Sequence, residues 1–232
     1  QSLDDGLHGY TRSQGSEELC GAVANHLGKY GLEVDPLDVV ISPGCKQALL
    51  YAMMTCLNPG DEVILFSPAW PSYDGMLKLI GAVPIHVPVN KDNYHPDIEV
   101  TKAAITNNTK AIIINSPNNP TGAVYHPDEI KALVEIADEH DLWIFDDMIY
   151  SDLVYCDHPY VSPATFAGGE ERTLTIGGWS KIWAMTGWRL GYCGAPKEII
   201  AAMNKIQSQS TTSTSSILIL FSFGLLSPHS PM

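Results

Sequence analysis

The chain is poor in positive charge. Lysine and arginine number 13 against 26 acidic residues, a formal net charge of −13, and only Arg12, Arg172 and Arg189 are arginines. Such a balance repels phosphate backbones and anionic lipid, so neither nucleic acid nor a membrane is an expected partner. Cysteine is sparse as well. Cys20, Cys45, Cys56, Cys156 and Cys193 are odd in number, dispersed and without Cys-x-x-Cys spacing. Neither a disulfide framework nor a zinc site follows, and a reducing cytosol fits best. The eight histidines include no i, i+4 pair, so no metal site is expected from them. No signal peptide is visible, and the apolar run from Ile217 to Leu226 is too short to span a bilayer. P-loop and Gly-x-Gly-x-x-Gly patterns, internal repeats and an interdomain linker are all lacking. The first residue is Gln1 rather than Met, which suggests a fragment or a processed end.

What is present is an alternation of helices and strands over 232 residues, enough for one large α/β domain or two small ones. A domain of this size buries roughly 70 to 75% of its unfolded surface. Ser16 is placed to cap a helix in which Leu19, Val23 and Leu27 repeat at i, i+4, i+8. Strands are expected at 38–42, 62–66, 82–87, 110–115, 142–145, 173–176 and 190–193. Helices are expected from about Lys46, at 74–80, from Asp97 to 105, at 127–140 and at 197–206. Segments 68–73 and 116–122 read as loops, and the composition breaks at the Ser/Thr-rich stretch 208–216. The strand at 110–115 is apolar on both faces, and strands of that kind separated by helices predict a buried, mainly parallel sheet with helices on both faces.

Ligands collect at the carboxyl ends of strands in an open parallel sheet. The residues that follow the predicted strands are Gly44-Cys45-Lys46, Trp70, Asn119, Asp147 to Tyr150 and Lys181. The glycine turn at 44 opens a helix and suits a phosphate. Lys181 suits a Schiff-base amine, and Arg189, eight residues on, suits a phosphate ligand. Taken singly, each has a plainer reading: a solvated lysine, a helix cap at Asp147, core aromatics at Trp70 and Tyr150, a turn former at Asn119, an ion-pair partner at Arg189. An amine, a carboxylate, a phenol, an amide, an indole, a guanidinium and a phosphate-ready turn along one edge match the needs of pyridoxal phosphate.

On Asn115-Ser116-Pro117-Asn118-Asn119-Pro120-Thr121-Gly122 and Lys181 to Tyr192, the chain resembles the fold-type I pyridoxal-phosphate aminotransferases of class I/II, nearest the aspartate/prephenate aminotransferase-like branch. The resemblance covers about Gly6 to Ser216. It implies a cofactor-binding large domain over 1–216, with the family's small domain largely missing, and leaves 217–232 as an apolar tail of unassigned origin. It also implies ping-pong transamination between an aspartate-like, glutamate or aromatic amino acid and a 2-oxo acid, in a cytoplasmic homodimer.

Carried over by position, Lys181 is the Schiff-base lysine, Asp147 pairs with the ring nitrogen, and Asn119 and Tyr150 bond the 3′-oxygen. Trp70 stacks on the ring. Gly44, Cys45, Lys46 and Arg189 hold the phosphate, and Tyr10 reaches the phosphate bound by the partner subunit. Strand alternation turns only one of Asp146 and Asp147 toward the ring, and the family's Asp-x-x-Tyr pattern selects Asp147.

Four departures stand out. Met148 replaces the glutamate of many relatives, and Gly178 replaces a phosphate-binding serine. No arginine follows Arg189 to grip a substrate carboxylate, and the resemblance implies that the N-terminal segment that closes over substrate is missing. These departures keep two other readings open: a truncated, non-catalytic pyridoxal-phosphate-binding fragment, and a lyase or oxidase on the same fold.

Overall fold

The computed structural model describes Gly6, residues 8–219 and Leu226; the expected tail is otherwise outside the described residues from position 220 on. In chain order the main elements are α1 (Glu17–Leu27), β1 (Val39–Ser42), α2 (Cys45–Cys56), β2 (Glu62–Ser67), α3 (Ser72–Leu79), β3 (Val83–Pro88), α4 (Ile98–Ala103), β4 (Thr109–Asn115), α5 (Pro127–Glu139), β5 (Trp143–Asp147), β6 (Thr173–Gly178), β7 (Gly191–Gly194) and α6 (Lys197–Ser210). They fall into two compact units, one of residues 1–51 with 176–232, the other of 52–175.

In the unit of residues 52–175, β3, β2, β4 and β5 pair in that order and all in parallel. Parallel strands need crossover connections, and α3, α4 and α5 supply them. Ile112 and Ile114 of β4, Ile64 of β2 and Ile144 of β5 are buried against Leu133 and Val134 of α5. The start of α5 is fixed locally: Pro127 sits at its first position, and Glu129 reaches back to accept the His126 backbone N–H at 2.7 Å. Asp97 caps α4 with its own side chain, Oδ1 accepting from Glu99 N and Val100 N.

In the other unit, β1 and β7 pair antiparallel, Ser42 opposite Gly191. Ser16 caps α1 through the Leu19 N–H at 3.2 Å, with Glu17 and Glu18 at its positive end. The expected helix at 197–206 continues to Ser210, into the stretch that composition marks as a break. Tertiary bonds account for the extension. Gln207 Nε2 donates to the carbonyls of Ser13 and Ile41, and Ser210 Oγ lies 2.5 Å from Tyr51 Oη. A second difference is at Ser72 and Tyr73, which read as loop but form the first turn of α3.

Candidate functional site

Asp147 ends β5, and its side chain is buried. Tyr73 donates to its Oδ2 at 2.6 Å, and its backbone carbonyl accepts Asn115 Nδ2 at 2.9 Å. Asn115 ends the neighbouring β4, and its Oδ1 accepts the Asn119 backbone N–H at 2.8 Å. One amide side chain therefore ties two strand ends and the following loop together. Asn119 Nδ2 in turn points at Tyr150 Oη, 3.4 Å away. Trp70, which follows β2, meets Tyr73 edge to face with ring centroids 5.2 Å apart. Trp70, Asn119, Asp147 and Tyr150 are thus brought to the carboxyl edge of one parallel sheet, as sequence order predicts.

Asp146 faces the other way. Its Oδ2 accepts from Tyr160 Oη at 2.5 Å and Ser162 Oγ at 2.8 Å, and burial pushes its carboxyl up to about 7 against those two lowering bonds.

In the other unit, Gly44 and Arg189 are neighbours. Gly44 has φ +94, which favours glycine, and a Cβ there would lie 2.9 Å from Arg189 Cζ. Gly191 is equally hemmed in, since a Cβ on it would lie 2.7 Å from Cys45 Cα. The pairing of β1 with β7 therefore lays the guanidinium against the turn that opens α2, where the helix presents its positive end. Arg189 is itself held in a left-handed conformation, with Nη1 donating to Thr186 O at 2.8 Å. Lys46 is exposed in the first turn of α2, Cys45 is partly buried, and Lys181, just past β6, is exposed. Tyr10 is 93% exposed. At Gly178 a Cβ would lie 2.7 Å from Leu190 O, so this strand end has no room for the serine of many relatives unless the backbone shifts.

The first unit thus offers a cationic, helix-backed cradle that a single methyl would fill, and the second a buried carboxylate with a phenol and an amide along the same edge. Those donor sets fit the phosphate and the pyridine ring of pyridoxal phosphate. The family model for aminotransferase class I and II matches residues 1–222. The chain belongs to this family.

Among similar proteins, a probable aspartate/prephenate aminotransferase of Thermus aquaticus is 43% identical over 219 residues, covering 94% of this chain and 56% of that protein. An aspartate aminotransferase of Thermotoga maritima is 39% identical over 90% of this chain and 56% of its own length. The solved Thermus thermophilus aspartate aminotransferase with maleate matches at TM-score 0.94 and 41% identity, over 97% of this chain and 59% of that one. An aromatic aminotransferase from Pyrococcus horikoshii matches at TM-score 0.95 and 36% identity, over 98% and 62%. The chain spans about half the length of the curated relatives it matches. These matches carry the fold expectation, a mainly parallel α/β architecture of the aminotransferase large domain.

Two residues of this sheet edge are not picked out by the sequence. Tyr73 was hidden because its segment reads as loop, and Asn115 because a strand-end amide has no periodic signal. Asn115 does stand first in the motif that carries the resemblance, which was the available clue.

Proposed function

We propose that the chain is the cofactor-holding part of a pyridoxal-phosphate-dependent aminotransferase. It would act on an aspartate-like, glutamate or aromatic amino acid and a 2-oxo acid, by ping-pong transamination. What supports this reading at the site is the buried Asp147, held by Tyr73 at 2.6 Å and anchored through Asn115 beside Asn119 and Tyr150. When bound, the cofactor supplies an aldehyde that captures an amine covalently and a ring that takes up the electron pair left at Cα.

The chain's own residues would do the rest. Asp147 holds a proton on the ring nitrogen by charge pairing, which makes the ring a stronger electron acceptor. Asn119 and Tyr150 orient the 3′-oxygen, and Trp70 covers a ring face. Gly44, Cys45, Lys46 and Arg189 bind the phosphate dianion. Lys181 Nζ takes the proton from the amino acid's Cα as general base, then returns one as general acid.

The homodimer and the reach of Tyr10 to the phosphate bound by the partner subunit belong to the same proposal, as does the cytoplasm, which five free cysteines favour. Among the described residues, no helix is long and apolar enough to cross a membrane.

Incubation of the purified chain with pyridoxal phosphate tests the reading. Expected are a yellow complex, borohydride fixation of the cofactor on Lys181, and bleaching by aspartate or another amino acid of the named classes. Colour without bleaching would favour a non-catalytic binding fragment. No uptake, or label on another lysine, would overturn the proposal.

A further inference from the structure

The reaction proposed above uses Asp147 and leaves its neighbour idle, yet Asp146 is the more deeply buried of the two, at 0% exposure against 3%. We infer that Asp146 is a positioning residue: a buried acid, clamped by Tyr160 and Ser162, that holds its proton and so leaves Asp147 as the single negative charge at the end of β5.

Three observations carry this. Strand alternation sends the two carboxyls to opposite faces, and each finds its own donors: Tyr73 for Asp147, Tyr160 and Ser162 for Asp146. Both Asp146 donors bond Oδ2, while Oδ1 is buried with no partner among the described residues. An ionised carboxylate would therefore bury charge on an oxygen with no donor among the described residues, a larger cost than burying the O–H of a neutral acid there. Finally, Tyr160 and Asp147 are the titratable groups that bear on Asp146, and no cation is among them. Burial, the largest cause, raises the carboxyl's proton affinity, the bonds from Tyr160 and Ser162 lower it, and the charge of Asp147 raises it again.

The role follows from Coulomb's law at short range. A second anion on the adjacent residue would load the strand end with like-charge repulsion against Asp147. A neutral Asp146 pins β5 to Tyr160 and Ser162 through hydrogen bonds alone. Because this rests on the proposed cofactor role of Asp147, the test has one arm that needs no cofactor.

In that arm, urea unfolding of the full chain is followed from pH 4 to 8. A carboxyl that binds its proton more tightly folded than unfolded adds stability in full below its unfolded value of 3.8, and that stability is lost as pH rises to about 7. The unfolding constant of the parent should therefore rise with pH relative to that of Asp146→Asn, by up to about tenfold per pH unit within that window, the limit for one proton. Parallel pH curves for the two proteins would overturn the inference.

Should Asp146→Asn fail to fold, carbon-13 NMR of the parent labelled at aspartate decides. One carboxyl should titrate near neutrality, and Ser162→Ala should move that titration upward. Aspartates that all titrate in the ordinary acidic range would overturn it. In the cofactor-loaded chain, Asp146→Asn should also remove the neutral-range inflection from the pH profile of bleaching by aspartate. A chain that takes up no cofactor would defeat the proposed function, while the unfolding arm would still decide the buried acid.

Discussion

Tyr73 and Asp147 lie 74 positions apart in the chain, yet the tyrosine hydroxyl donates to Asp147 Oδ2 at 2.6 Å with both residues buried. Tyr73→Phe leaves a buried carboxylate oxygen short of a charge-assisted donor. Stability should fall by about 1 to 3 kcal/mol. Urea denaturation of the two proteins at one pH checks this, and equal midpoints would show that the bond carries no weight.

Gly44→Ala places a methyl on the Arg189 guanidinium at a backbone angle that alanine disfavours. The strain is about 1 to 3 kcal/mol, and the guanidinium must swing out of the cradle. Affinity for pyridoxal phosphate, read by fluorescence titration, should drop at least tenfold. Unchanged affinity would remove the turn from the phosphate site.

Asp147→Ala should hurt proton transfer far more than docking of the cofactor. On the scale of other electrostatic stabilisers, a loss of about a hundredfold or more in the rate of bleaching by an amino acid is expected. Cofactor affinity should change by less. Stopped-flow absorbance on both proteins compares the two quantities directly, and equal bleaching rates would show the assignment to be wrong.

The thiols should react unequally. Burial pushes Cys20 up to about 11 and Cys56 up to about 12, whereas Cys156 is exposed. Since the thiolate is the nucleophile, a thiol at 11 is ionised in only about one molecule per thousand at pH 8. A short iodoacetamide pulse at pH 8, read by peptide mass spectrometry, should label Cys156 first and Cys20 and Cys56 slowly. Raising the pH should speed both of these, as more of each ionises. Faster labelling of Cys20 than of Cys156 would contradict the packing around α1.

Leu133 lies on the buried face of α5 at 0% exposure. Leu133→Ala should cost about 2 to 5 kcal/mol, the range for a leucine removed from a close-packed core. Thermal or urea unfolding measures it, and a loss well under 1 kcal/mol would mean that the face is less tightly packed.

The order of strands and helices was legible from the chain because local rules suffice for it. Apolar periodicity, the caps at Ser16 and Asp97, Pro127 at a helix start and the turn at Gly44 each act within a few residues. Asn119, Asp147 and Tyr150 were legible as neighbours because each follows closely on a strand of the parallel set, and such a sheet carries the residues after its strands to one edge whatever the side chains between. The family was legible too, since a motif such as Asn115 to Gly122 is read in one dimension.

Tertiary structure alone decided which groups support that edge. Nothing near Tyr73 in the sequence announces Asp147, and nothing near Asp146 announces Tyr160 and Ser162. The extension of α6 to Ser210 depends on Gln207 reaching the carbonyls of Ser13 and Ile41, at the far end of the chain. Gly178 and Gly191 are tight because other backbone passes within contact of them, a crowding that the identity of neighbouring residues does not reveal. Propensity and capping are local free energies, fixed by the nearest few positions. Burial of a carboxylate and the donor that satisfies it exist only once distant segments have packed.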